Sequence, residues 1–136
     1  MSLQEQLENF ILQKNLFSRK DKLLLALSGG VDSVVLCDLL HKGGYDFSIA
    51  HCNFQLRGEE SDADEDLTAS LAKKYNCIFY SKKFGTADYA DENKVSMQVA
   101  ARELRYNWFT ALIEERPENI LLTAHHANDN IETLLM

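Results

Sequence analysis

Two kinds of hydrophobic pattern alternate along the chain. Residues 23–27 form an unbroken apolar run of strand length, which is typical of a parallel strand buried on both faces. Shorter apolar segments at 47–51, 77–80 and 119–123 predict three further strands. Between the strands, apolar residues spaced three and four apart predict helices, which cover residues 2–15, 32–41, 61–75, 96–115 and 128–136.

Particular residues mark where these helices begin and end. The hydroxyls of Ser2 and Ser61 are placed to cap the first and third helices. Gly43 and Gly44 stop the second helix, and Pro117 closes the long one. The stretch from the third strand to residue 91 carries neither pattern, so we expect it to be irregular.

Strands that alternate with helices, without tight hairpins, predict an α/β fold: a Rossmann-like parallel sheet flanked by helices. Ligands of such sheets bind at the carboxyl ends of the strands. Polar clusters follow the first, second and fourth strands, at 28–33, 51–57 and 125–133. We therefore expect these three clusters to converge on one cleft.

Composition adds three limits to this picture. The 136 residues predict a single domain, 1–136, and neither a signal peptide nor a membrane span is apparent, which favours a cytoplasmic location. The three cysteines form no CxxC pair, so reduced thiols are expected. The net charge of −7 argues against a nucleic-acid surface, but six acids and one base lie within 55–66, and the remainder carries only 13 − 15 = −2. A basic patch elsewhere is therefore compatible with the sequence.

The segment between the first strand and the second helix has the chemistry of a phosphate site. Its two glycines let a ligand approach the main chain, and the amides of a helix N-terminus favour an anion. Ser28 and Ser33 supply hydroxyls, and Asp32 can reach a metal ion that accompanies phosphates. The alternative is a plain tight turn in which the aspartate caps the helix. The loop matches neither GxxxxGK[ST] nor GxGxxG.

Four segments carry a resemblance to a known family. The loop resembles the SGGxDS signature of the PP-loop ATP pyrophosphatases, which split ATP between its α- and β-phosphates; it reads Ser28-Gly29-Gly30-Val31-Asp32-Ser33. Residues 51–61, 101–106 and 124–133 resemble the H-x-L-R-x-E-S, A-R-x-x-R-Y and A-H-H-x-D-D-Q-x-E-T stretches of tRNA(Ile)-lysidine synthetase. The likeness runs from about residue 23 to the last residue. It implies the PP-loop, or adenine nucleotide alpha hydrolase-like, fold.

The resemblance also implies a set of functional residues. ATP is expected to bind at Ser28, Gly29, Gly30, Val31, Asp32 and Ser33, with His51 touching the base or the ribose. Mg2+ is expected at Asp32 and Asp129, because Asn128 and Asn130 replace the family's first aspartate and its glutamine, and an amide binds a hard cation more weakly than a carboxylate. The expected catalytic residues are Asp32, Arg102, Arg105, His126 and Asp129.

Several of these candidates have an ordinary alternative. Arg102 and Arg105 are three apart on a helix, which suits an anion clamp but equally suits two solvated arginines. His126 either contacts phosphate, orients Asp129 or caps a helix. Its neighbour His125 points about 100° away, which argues against a shared zinc ion. Arg57 either reaches a ligand or pairs with the acidic run beside it.

The activity implied by the resemblance is ATP-dependent tRNA modification. The wobble cytidine of an isoleucine tRNA is adenylated, and free lysine then replaces AMP to form lysidine. The family carries a longer catalytic domain and further tRNA-binding domains, so we expect this chain to be a truncated N-terminal domain that modifies tRNA inefficiently by itself. No membrane partner is expected, and a homodimer is left open. The alternatives are another PP-loop ligase and a non-catalytic adenine-nucleotide-binding module.

Overall fold

The computed structural model describes residues 2–28, 31–116, 120–124 and 131–135. For residues 31, 32, 123, 124 and 131–135 it describes the backbone but not the side chain. Helices and strands alternate over most of the chain, in this order: α1 Leu3–Lys14, β1 Lys22–Ala26, α2 Val31–Lys42, β2 Asp46–Asn53, α3 Glu59–Lys74, β3 Phe79–Lys83, α4 Thr86–Asn93, α5 Met97–Glu115, β4 Ile120–Ala124 and β5 Ile131–Leu135.

These strands form one sheet in the order β3-β2-β1-β4-β5. The first four are parallel, and β5 pairs antiparallel with β4. The central strand β1 is the apolar run seen in the sequence, and its three leucines, Leu23, Leu24 and Leu25, are fully buried. The predicted α/β class with a parallel sheet is confirmed.

Helices cover both faces of the sheet because successive side chains of a buried strand point to opposite faces. Leu23 and Leu25 pack in one core with side chains of α1, α2 and α3. Leu24 packs in a second core with Phe109, Leu112 and Ile113 of α5. The sheet is therefore the middle of three layers, and its strand ends are free to form sites.

The predicted cap of α1 is confirmed, because Ser2 accepts a backbone hydrogen bond at the start of that helix. Ser96 does the same at the start of α5. The prediction that Ser61 caps α3 is wrong, because that helix begins two residues earlier, after Gly58. Gly58 has a φ of +56°, a conformation that glycine adopts without strain, and Ser61 Oγ instead accepts a hydrogen bond from the amide of Arg57 at 3.1 Å.

Two other expectations are wrong. The stretch before residue 91 is not irregular, because it contains α4, which buries Thr86 and Ala90 four residues apart. Residues 131–135 form β5 and not part of a helix over 128–136. The β-branched side chains Ile131 and Thr133 suit a strand, and β5 pairs along the whole of β4, whose edge would otherwise expose unpaired backbone groups.

Within the described ranges, we find no helix that is both long and apolar enough to cross a membrane.

Candidate functional site

A cavity of about 310 Å3 opens at the carboxyl ends of β1 and β2. Its volume lies within the range of small-molecule sites, roughly 300–1,000 Å3. It is lined from both sides of the sheet, by β1 and β2, by the loop after β2, and by α3 and α5. The lining residues are Ala26, Leu27, Ser28, His51, Cys52, Asn53, Phe54, Leu56, Arg57, Ser61, Asp64, Arg105 and Phe109. We call it the carboxyl-edge cavity.

The loop with the phosphate signature begins at the rim of this cavity. Leu27 is buried and donates its amide hydrogen to the Ala50 carbonyl at 3.0 Å, so the end of β1 is fixed against β2. Ser28 follows it and lines the cavity. Helix α2 starts at Val31, so its N-terminus lies beside the strand end, and Ser33 in its first turn is only 2% exposed. This is a backbone arrangement suited to an anion.

His51 is the most deeply buried polar residue of the cavity wall after Asn53, with 3% of its surface exposed. Its Nδ1 lies 2.8 Å from the Leu27 carbonyl oxygen. A carbonyl only accepts hydrogen bonds, so Nδ1 carries the proton. The Nε2 atom is buried and has no hydrogen-bond partner among the described residues. Two other such oxygens, on Gln4 and Glu65, do not line this cavity.

The loop after β2 forms one wall, and its backbone is held by side chains. Asn53, itself 1% exposed, accepts the Gln55 amide at 3.0 Å and donates to Asp62 at 3.0 Å. Gln55 has a φ of +56° and donates its side-chain amide to the Phe84 carbonyl at 2.9 Å. Thr86 donates its hydroxyl to the Phe54 carbonyl at 2.8 Å. The start of α4 thus fixes the wall.

Two arginines line the cavity, and they differ in their partners. Arg57 pairs with Asp64 and lies 3.5 Å from Glu60, so it both pairs with the acidic run and faces the cavity. Arg105 has no carboxylate within ion-pair distance in the part of the chain that the structure describes. Arg102 and Arg105 are both exposed, but only Arg105 lines the cavity, so the structure brings one arginine of the predicted clamp to it.

The rest of the lining is largely apolar. Phe54 stacks on Phe84 with ring centroids 5.5 Å apart, and Trp108 contacts both Phe84 and Phe109. Trp108 and Phe109 therefore belong to the core, as the helical spacing favours. Burial raises the pKa of the Cys52 thiol to about 12, although nearby Arg105 acts in the opposite direction. The thiol stays protonated near neutral pH and is a weak nucleophile.

Part of the predicted site lies outside the described residues. This applies to Gly29, Gly30, His126 and Asp129, and to the side chain of Asp32. Among the side chains that are described, no group of three histidine, cysteine or acidic residues is placed to hold a metal ion. The third polar cluster follows in sequence the strand β4, whose Thr123 pairs with Ala26 of β1.

Some lining residues were not singled out by sequence reasoning. Ser61 and Asp64 lie three apart on α3, and this spacing was the available signal that they share a helix face. The acidic residues within 55–66 instead predict a helix start that is exposed to solvent. Cys52 and Asn53 lie within the stretch that resembles the synthetase, but they carry no motif residue type of their own.

Comparison with known proteins agrees with this geometry. The family model described as a PP-loop domain, ATP_bind_3, matches residues 1–136, and the chain therefore belongs to the PP-loop family. Among solved structures, the NH3-dependent NAD synthetase of Campylobacter jejuni superposes with a TM-score of 0.64 at 17% identity. The superposition covers 92% of this chain and 55% of that one, and it shows the shared fold.

Curated relatives make the resemblance more specific. The chain is 47% identical over 133 residues to a protein named tRNA(Ile)-lysidine synthase from Bacteroides thetaiotaomicron. The aligned segment covers 98% of this chain and 31% of that protein. It is 42% identical over 137 residues to the protein of the same name from Porphyromonas gingivalis, and this alignment covers all of this chain and 30% of that protein. The chain thus spans about a third of the length of these relatives.

Proposed function

We propose that this chain is the ATP-binding part of a tRNA(Ile)-lysidine synthase. One observation carries the proposal: in a PP-loop chain, Ser28, His51 and Arg105 line one cavity at the carboxyl end of the central strand. The cavity lies beside the N-terminus of α2, where backbone amides attract phosphate. The sequence identity to proteins named as such synthases supports the choice of substrate class.

The residues present suit a bound nucleotide. An arginine without a carboxylate partner among the described residues and a helix N-terminus favour a polyanion, and a buried acceptor with an apolar wall suits a nucleoside. ATP supplies the adenylyl group, and Mg2+ offsets the charge of its phosphates. The loop residues that would hold ATP are Ser28, Gly29, Gly30, Val31, Asp32 and Ser33, and Asp32 and Asp129 would hold Mg2+.

The other proposed roles concern charge and position. Arg105, which no described carboxylate neutralises, stabilises negative charge that develops on the phosphates. Arg102 lies one turn before it on α5 and would contact a polyanion beyond the cavity. His126 and Asp129 follow β4 and would complete the site. The high pKa of Cys52 supports a reaction that uses no thiolate at this position.

The proposed substrates are the wobble cytidine of an isoleucine tRNA and free lysine. The cytidine is adenylated with release of pyrophosphate, and the amine of lysine then replaces AMP. The remaining two-thirds of the relatives' length is proposed to supply tRNA contacts, so this chain by itself would form lysidine slowly. We propose a cytoplasmic enzyme and leave a homodimer open. Another PP-loop ligase remains the closest alternative reaction.

A graft tests this proposal in its full context. The matching 133 residues of the Bacteroides thetaiotaomicron synthase are replaced by this chain, and lysine incorporation into isoleucine tRNA is measured. We expect activity within about tenfold of the parent enzyme, because the two segments are 47% identical. A graft that folds and binds ATP but releases no substrate-dependent pyrophosphate would instead indicate a nucleotide-binding module.

Asp32→Ala in the same graft tests the role of the loop. We expect pyrophosphate exchange to fall about 100-fold or more, because charge on the phosphates loses its metal-mediated compensation. Glu92→Ala, on the exposed surface of α4, is the control and should leave exchange unchanged. Unchanged exchange in Asp32→Ala, with the protein folded, would remove Asp32 from the mechanism.

A further inference from the structure

The buried imidazole of His51 has a polarity that restricts what it can bind. Its Nδ1–H donates to the Leu27 carbonyl at 2.8 Å, and a neutral imidazole carries only one N–H. Its Nε2 is therefore a hydrogen-bond acceptor. That atom is already removed from water and has no partner in residues 2–28, 31–116, 120–124 and 131–135. A donor that reaches it would form a hydrogen bond without further desolvation of the histidine.

The carbonyl of Leu27 keeps this polarity fixed. Leu27 is held by its own amide, which donates to the Ala50 carbonyl at 3.0 Å, and both residues are buried. The ring cannot turn over without leaving the Leu27 carbonyl unpaired in the interior, which is costly. A ligand in the carboxyl-edge cavity therefore meets a preorganised acceptor at this wall.

Ionised phosphate is not a partner for the Nε2 of a neutral imidazole, because phosphate oxygens only accept hydrogen bonds. In a nucleotide the donors belong to the nucleoside: the exocyclic amine of the base and the hydroxyls of the ribose. The apolar wall beside His51, formed by Leu27, Phe54 and Phe109, suits a nucleoside better than a triphosphate.

We propose that His51 is a specificity-determining residue whose Nε2 accepts a hydrogen bond from an N–H or O–H donor of the nucleoside. This inference rests on the proposed function, since it takes ATP as the ligand. It predicts that nucleotides without that donor bind more weakly, because they leave Nε2 buried and unpaired in the complex.

Nucleotide analogues and two variants test the pairing. Binding of ATP, ITP, purine riboside triphosphate, 2′-deoxy-ATP and 3′-deoxy-ATP is measured by calorimetry. ITP and the riboside lack the base amine, and the deoxy analogues each lack one hydroxyl. We expect one of these two groups to bind the wild-type chain about tenfold more weakly than ATP does.

The variants separate pairing from packing. In His51→Asn the side-chain amide can still donate towards Leu27, but no acceptor remains at the Nε2 position, so the analogue preference should vanish. In His51→Gln the amide oxygen can replace Nε2 as acceptor, and part of the preference should return. Leu12→Ala, on the exposed face of α1 and outside the cavity, should keep the wild-type preference.

Several results overturn the inference. An analogue preference that is identical in wild type and His51→Asn would do so, as would wild-type protein that binds all five nucleotides equally. If His51→Asn does not fold, the imidazole 15N resonance of wild-type His51 decides: it should shift with ATP and not with the weak analogue. ATP that fails to bind at all overturns the proposed function itself, whereas ATP binding without discrimination overturns only the role of His51.

Discussion

One cavity lies at the carboxyl ends of the strands and another at their amino ends, and the two differ in whether their polar groups have hydrogen-bond partners within the protein. The cavity at the amino ends of the strands measures about 200 Å3, and His41, Tyr45, Tyr75 and Cys77 line it. We call it the amino-edge cavity. There two tyrosine hydroxyls pair with carboxylates: Tyr45 donates to Glu8 at 3.0 Å, and Tyr75 donates to Asp38 at 3.5 Å. At the carboxyl edge, His51 Nε2 has no such partner in the described chain.

The arginines near the two cavities, Arg19 and Arg105, also differ in whether they have partners within the protein. Arg19, beside the amino-edge cavity, donates to the Gly43 carbonyl at 2.7 Å and to Glu8 at 2.9 Å, and its guanidinium lies over the ring of Tyr45. Arg105, at the carboxyl-edge cavity, pairs with no carboxylate that the structure describes. Polar groups that are paired internally stabilise the fold, and those left unpaired at a cavity indicate a ligand site. Cavity volume alone does not distinguish the two.

The largest expected effect is on ATP affinity at the carboxyl edge. Arg105→Ala should weaken ATP binding about 30-fold, because a charge-assisted hydrogen bond to phosphate contributes about 2 kcal/mol. The free energy of unfolding should change by less than about 0.5 kcal/mol, since no folded-state ion pair that we observe is lost. Calorimetry and urea unfolding measure the two quantities.

Arg102→Ala is the matched control for this variant, because it removes an arginine from the same helix at a position that does not line the cavity. Its ATP affinity should stay within about threefold of wild type, as expected for a screened surface charge. Equal losses in the two variants would mean that the helix contributes a general positive field and that the cavity has no special role.

Arg19→Ala should show the reverse behaviour. The variant loses two hydrogen bonds and a contact with the Tyr45 ring, so we expect the free energy of unfolding to fall by about 1 kcal/mol. ATP affinity should not change. A weaker affinity in this variant, at a temperature where it is fully folded, would contradict the separation of the two edges.

Thiol reactivity provides a further test, because Cys52 lines the carboxyl-edge cavity and Cys77 the amino-edge cavity. Burial raises the pKa of Cys52 to about 12 and that of Cys77 to about 11, so iodoacetamide should react slowly with both thiols. Saturating ATP should slow modification of Cys52 several-fold and leave Cys77 unaffected, as measured by mass spectrometry of peptides. Protection of Cys77 alone would place the ligand at the wrong edge.

The smallest effect concerns alkaline stability at the amino edge. Burial, and then the carboxylate of Glu8, raise the pKa of Tyr45 above its ordinary value of 10.0. A raised pKa in the folded state gives stability that is complete below pH 10 and is lost as the pH rises through the folded value. The free energy of unfolding of Tyr45→Phe should therefore fall less steeply above pH 10 than that of wild type. Parallel curves would show that Tyr45 does not contribute.

The sequence predicts the central sheet well because burial on both faces leaves an unambiguous apolar run. Residues 23–27 overlap β1 closely, and the cap Ser2 is local chemistry that needs no tertiary information. Helix α4 was missed because it buries only small or polar residues, Thr86 and Ala90, and so produces little hydrophobic periodicity. Its stability comes from packing on α5, which no local pattern reports.

The strand β5 and the cavity wall depend on contacts that are distant in sequence. Residues 131–135 have both helical spacing and β-branched side chains, and they form a strand because they pair with β4. Tertiary pairing here overrides local propensity. The positions of Ser28 and His51 at the cavity were predictable because both lie at the carboxyl ends of parallel strands. The paired state of Arg57 and the unpaired state of Arg105 were not, because they depend on which carboxylates the fold brings near each guanidinium.

Binding of ATP at the carboxyl-edge cavity is measured most directly by the backbone and side-chain NMR shifts when ATP is added to this chain. The largest changes should fall on residues of that cavity, with Ser28, His51 and Arg105 among them, while His41, Tyr45 and Tyr75 stay unchanged. Changes concentrated at the amino edge, or no saturable change at millimolar ATP, would contradict it.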